Sequence, residues 1–117
     1  MANASIQIDL PELPDALRDR IVPYHSDFDI AGSLRALEHH RPGLFKTMER
    51  MIGVLEAYPG IMETSIDYDE EDTYRPVTIW ARSTFPLDER ESQLRRIFDI
   101  SQEELGYFRD LVLVGVM

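Results

Sequence analysis

The chain has 117 residues and 13.6 kDa, room for one domain with a core of its own, and its 44% apolar share is a globular value. It contains no cysteine, which excludes disulfide frameworks, thiol catalysis and thiolate metal sites. Its net charge of −10 has the wrong sign for neutralising phosphates or anionic lipid, so neither nucleic acid nor membrane is an expected partner.

The acidic excess is uneven. Residues 1–30 hold six acids and two bases, and residues 61–74 hold six acids and no base, while residues 31–60 and 75–117 are close to neutral. No apolar run approaches the length of a membrane span, and residues 1–5 have neither a basic start nor a long apolar stretch. A cytoplasmic protein with one α+β domain over residues 1–117 is expected. Its first thirty residues form an acidic strand or arm plus a short helix.

In residues 5–10 the apolar side chains Ile6, Ile8 and Leu10 alternate, the pattern of a half-buried strand that Pro11 and Pro14 end. Leu17 and Ile21, four apart, follow a proline suited to a first helical turn, and Pro23 closes that short helix. Residues 31–40, with Leu34 and Leu37, predict a helix that breaks before Pro42. The clearest helix covers residues 44–58, where Leu44, Phe45, Met48, Met51, Ile52 and Leu55 keep the spacing of one buried stripe. Tyr58-Pro59-Gly60 then predicts a type II turn.

A hairpin follows. Met62, Thr64, Ile66 and Tyr68 alternate with polar residues, as do Val77, Ile79 and Ala81. Pairing the two apolar faces predicts a register in which Ile66 opposes Val77. Asp88 with Glu91 reads as a capping box opening a helix with a core stripe of Leu94, Ile97 and Phe98. Ser101 with Glu104 reads as a second box opening a separate short helix. Residues 111–116 are a β-branched run that predicts a strand buried on both faces. With the helices grouped, the order is βαββαβ, similar to the ferredoxin-like sandwich: an antiparallel sheet of three to four strands with helices on one face. That fold hosts too many activities to decide a function.

Three local patterns suggest chemistry. His25, Asp27 and Asp29 point the same way in an extended segment and make a candidate divalent-metal site, with the His39/His40 pair supplying a fourth ligand. The acidic run Asp67 to Asp72 fails as an EF-hand, because Asp72 stands where that loop needs glycine and Thr78 where it needs glutamate. Asp69, Glu70, Glu71 and Asp72 instead suit a solvated hairpin tip or a docking surface for a basic partner. The stretch from Leu94 to Leu105, ending Ser101-Gln102-Glu103-Glu104-Leu105, resembles the opening of the helix-turn-helix in phage-type repressors. A recognition helix must follow there, and this chain runs into Leu111 and Val112 instead.

Trp80 stands opposite Val77 and Ile79 by parity, in company with Thr78 and Arg82, a composition suited to an interface anchor if that face is open. No phosphate-cradling glycine loop or nucleophile elbow occurs. The sequence therefore favours a non-catalytic protein-binding module without cofactor, partnered by a basic protein or by itself as a homodimer. Particular forms are an immunity protein or inhibitor of a basic nuclease, and a chaperone of a secreted partner. A metal-dependent enzyme or metal sensor using His25, Asp27 and Asp29 is the reading from another class.

Overall fold

Six apolar residues at three-and-four spacing give helix α3 (Leu44–Ala57) a continuous apolar face, and Leu44, Met48, Met51 and Leu55 on it are fully buried. The computed structural model describes residues 9–22, 29–72 and 74–117. Two short helices come earlier, α1 (Asp15–Arg18), which buries Leu17, and α2 (Ile30–His40), which buries Ile30 and Leu34. The expected break at Arg41-Pro42 separates α2 from α3. It is closed from the α2 side: the Glu38 carboxylate accepts the backbone N–H groups of Gly43 (2.8 Å) and Phe45 (2.7 Å), satisfying donors the helix start cannot pair internally. Gly43 leads into α3 with φ +100°, a conformation that favours glycine.

After the turn at Gly60 (φ +96°) the chain forms β1 (Ile61–Tyr68) and β2 (Val77–Ser83), an antiparallel hairpin. Then come helix α4 (Arg90–Leu105), a 3-10 turn (Gly106–Asp110) and β3 (Val112–Val116), which lies parallel to β2. The class is α+β, with a three-stranded mixed sheet in the order β1-β2-β3. Ile66, Val77, Ile79, Ala81 and Val112 face the helices and join their buried residues in one core.

The sheet departs from the expected antiparallel, ferredoxin-like arrangement. A split βαβ leaves a strand between the two joined by the crossover. Here β2 and β3 hydrogen-bond directly, so no first strand can enter between them. Residues 5–8 of the expected first strand lie outside the described residues, and Asp9 and Leu10 are in no strand. What does border β1 is the end of the first segment: Arg20 accepts the Ile66 N–H at 2.7 Å and Val22 donates to Ile66 at 3.1 Å, a single parallel bridge at Ile21.

The hairpin register is two residues from the expected one, with Ile66 opposite Ile79 and Tyr68 opposite Val77. The ladder runs further toward the turn because the Pro76 carbonyl accepts the Asp69 N–H at 2.8 Å, a bond that does not need the missing proline N–H. At the other end the register shifts between Ile61 and Glu63. That irregularity reverses the local parity, so Ile61 is buried and Met62, expected in the core, is 61% exposed.

Helix α4 also corrects the reading of its signals. It starts at Arg90 with Glu89 at the cap and no side-chain cap bond, so the Asp88/Glu91 box does not form. It runs unbroken through Ser101, whose hydroxyl donates back to the Phe98 carbonyl at 2.7 Å. Its buried positions are Ile97, Ser101 and Leu105, each four apart, which leaves Phe98 on the flank at 55% exposure. Strand β3 is buried on one face only, with Leu113 38% exposed.

Candidate functional site

The hairpin places its two kinds of candidate residue on different surfaces. Asp69, Glu70, Glu71 and Asp72 form the turn between β1 and β2, and all four are exposed. Their backbone is held in shape by two of their own carboxylates. Asp69 Oδ1 accepts the Glu71 N–H at 3.0 Å, and Asp72 Oδ1 accepts the N–H groups of Tyr74 (2.9 Å) and Arg75 (3.0 Å). Such Asx bonds let a charged run keep one conformation at a hairpin tip. The Arg75 and Tyr74 N–H groups hold the Asp72 carboxyl below its usual range, with the Arg75 charge adding to the effect.

The turn opens directly onto a surface cleft of about 460 Å³ lined by Tyr74, Arg75, Gln102, Tyr107, Arg109 and Asp110. Tyr74 is 67% and Tyr107 75% exposed, the largest exposures among the aromatic residues described. Tyr107 is fixed from behind by Arg41, whose guanidinium stacks 4.3 Å from the ring centroid and donates to Asp110 through both terminal nitrogens (3.0 and 3.1 Å). Arg41 also donates to the Tyr107 carbonyl at 3.1 Å. Those hydrogen bonds hold the Asp110 carboxyl below its ordinary range. Arg75 lies 5.5 Å from the Tyr74 ring centroid. The cleft thus presents two exposed tyrosines, Tyr107 backed by Arg41, with arginines at its wall, and it joins the acidic turn where Asp72 bonds the backbone of Tyr74 and Arg75. Sequence reasoning missed both tyrosines. Tyr107 is positioned by Arg41, sixty-six residues earlier, and local pattern carries no sign of that contact.

Trp80 lies on the sheet face opposite the helices, the open one. Its cross-strand neighbours are Ser65 in β1 and Gly115 in β3. The indole lies across Gly115 so closely that a Cβ there would sit 2.5 Å from Cζ3. Trp80 is half-buried for that reason, covering the sheet's own backbone. Thr78 is beside it, and Arg82 forms an exposed ion pair with Glu63 at 3.1 Å.

The metal reading finds less to stand on. His25 and Asp27 lie outside the described residues. Asp29 is engaged as the α2 cap, accepting the Gly32 N–H at 2.8 Å. His39 and His40 stack edge to face at the end of α2, with ring centroids 5.4 Å apart. Among the described residues no group of three His, Asp or Glu side chains is placed to hold a metal ion. No described helix is long and apolar enough to cross a membrane. The helix-turn-helix resemblance ends at α4, which is followed by the 3-10 turn and β3. No protein-family model, curated protein or solved structure matches the chain.

Proposed function

We propose that the chain is a non-catalytic protein-binding module that docks a basic protein at the acidic end of its hairpin. One observation carries this reading: the exposed acidic turn is bonded through Asp72 to Tyr74 and Arg75, which line a cleft on which Tyr74 and Tyr107 are both exposed. Tyrosine supplies contact area at low entropic cost and arginine supplies hydrogen bonds, and both are enriched in hot spots. The carboxylates around them steer a cationic partner and disfavour an acidic one. The finer forms of the reading, an inhibitor covering the phosphate-binding surface of a nuclease and a chaperone of a secreted protein, share this chemistry and differ in the partner.

The test is capture with tagged protein at low salt from its native cell, beside two variants. One is Asp69→Asn/Glu70→Gln/Glu71→Gln/Asp72→Asn, which keeps the acceptor oxygens of the turn. The other is Tyr74→Ser/Tyr107→Ser. A basic partner is expected to be held by the wild type, to weaken about tenfold or more in each variant, and to be released as salt screens the contact. A nuclease or a secreted protein in the eluate then selects between the two finer forms. A partner bound equally by all three proteins would sink the assignment of this surface.

A further inference from the structure

The two edges of the sheet are finished differently. On the β1 side, residues 20–22 bond to Ile66, and Arg20 reaches over to Glu56 and Thr64. The β3 side has no such cover among the described residues. The Val77 N–H donates to Leu111 and the Met117 N–H to Ala81, so residues 111, 113, 115 and 117 turn their peptide groups toward β2. Val112, Val114 and Val116 therefore aim theirs outward, where no described strand lies. An open edge of this kind is ordinarily blunted by lysine, proline, a bulge or a short charged strand. Val112-Leu113-Val114-Gly115-Val116 has none of these.

We infer that this edge is the self-association surface of the protein, pairing antiparallel with β3 of a second copy about a twofold axis at Val114. In that register Val114 opposes its own counterpart and Val112 opposes Val116, so each outward N–H and C=O finds a partner and the two sheets join into one of six strands. The axis is perpendicular to the sheet, so both helical layers fall on the same side. Beneath the edge, α4 and β3 bound an apolar groove of about 420 Å³ lined by Leu94, Ile97, Phe98, Val114 and Val116. Phe98, otherwise unexplained at 55% exposure, stands where the second α4 would cover it.

Charge selects a second copy over a basic peptide. The acidic excess lies in residues 1–30 and 61–74, whereas residues 75–117, which contain α4 and β3, carry six bases and seven acids. A cationic peptide finds no attractive field at this edge. A copy of an otherwise strongly acidic chain meets little repulsion there. The groove rim carries both signs, Arg95 pairing with Glu91 at 3.0 Å. The inference is independent of the hairpin docking surface and uses none of its residues.

Sedimentation equilibrium of the full chain, from micromolar concentration up to roughly 1 mM, tests it. The expected wild-type species is a dimer that dissociates on dilution. Val114→Pro removes an outward N–H without touching the β2 ladder, and Phe98→Glu charges the groove from an already exposed position. Each is expected to raise the dissociation constant about a hundredfold or more. Circular dichroism checks that each variant is folded, and Phe98→Glu decides if Val114→Pro is not. The hairpin variant with its four carboxylates neutralised is expected to dimerise as the wild type does, which separates this surface from the docking reading. A wild type that stays monomeric throughout the range would overturn the inference. So would a dimer that folded Phe98→Glu retains, or one lost only in the hairpin variant.

Discussion

A methyl group on Gly115 would collide with the indole of Trp80, its Cβ lying 2.5 Å from Cζ3. The contact explains two residues at once. Glycine in a strand weakens it by offering no side chain to pack, and a tryptophan on the neighbouring strand restores the lost cover. Gly115→Ala is expected to push the ring off the sheet and destabilise the fold by about 1–3 kcal/mol. Trp80 is the chain's one tryptophan, so its fluorescence reports the displacement directly. A red-shifted spectrum with a lowered Tm is the expected result, and an unchanged spectrum would show that the ring has room to spare. From sequence, alternation set Trp80 opposite Val77 and left open which face was core. The three buried residues Val77, Ile79 and Ala81 answer that, each 0% exposed. What alternation could not supply is Gly115 beneath the ring, because the parallel pairing that brings it there is a contact between strands thirty-five residues apart.

At the scale of elements, the junction of α2 and α3 depends on a single side chain. Glu38 carries both acceptors for the first turn of α3, and Gly43 at its cap has no side chain to provide one. Glu38→Ala leaves the Gly43 and Phe45 N–H groups without their partner and is expected to cost about 1–2 kcal/mol, with Glu38→Gln keeping part of that. Equal melting temperatures for all three proteins would mean that water substitutes fully for the carboxylate. The helices themselves were legible: α2 and α3 agree with the stripes of Leu34 and of Leu44 to Leu55 to within a residue at either end. Legibility failed where one local signal had two uses. Ser101 with Glu104 has the form of a cap, yet Ile97, Ser101 and Leu105 lie on one face of α4, and burying that face keeps the helix continuous. The hairpin register failed for a related reason. Alternation fixes parity but not offset, and the offset was set by the Asp69–Pro76 bond and the irregularity near Met62. The candidate site divided in the same way. Its acidic turn was plain in the sequence, whereas the tyrosine cleft beside it depends on Arg41 reaching across the fold.

Across the whole molecule, an acidic chain is held together partly by carboxylates that must stay ionised. The N-terminal segment is tied to the body by Arg20, which binds both oxygens of Glu56 (3.0 and 2.8 Å) and touches Thr64 at 3.1 Å, while the Thr64 hydroxyl donates to Glu56 at 2.7 Å. The Arg20 hydrogen bond, aided by Thr64 and opposed by burial, holds the Glu56 carboxyl below its ordinary 4.5. Asp110 beside Arg41 is lowered in the same way at the opposite end of the chain. A carboxyl whose folded pKa is depressed contributes its stability above the unfolded value and loses it as pH falls through the folded one. The stabilisation from Glu56 is therefore complete at neutral pH, begins to fall near pH 4.5 and is gone in stronger acid. Relief of charge repulsion opposes this loss, because protonation also brings the net charge from −10 toward zero. Glu56→Gln separates the two effects, since it removes one paired carboxylate and leaves the other twenty-one acids to titrate. At pH 7 the variant is expected to be less stable than the wild type by about 1 kcal/mol, the upper range for a partly exposed pair. As the pH falls from 4.5 through the depressed folded value, the two melting temperatures are expected to converge. A gap that persisted undiminished in acid would show that Glu56 stabilises the fold through packing rather than through its charge.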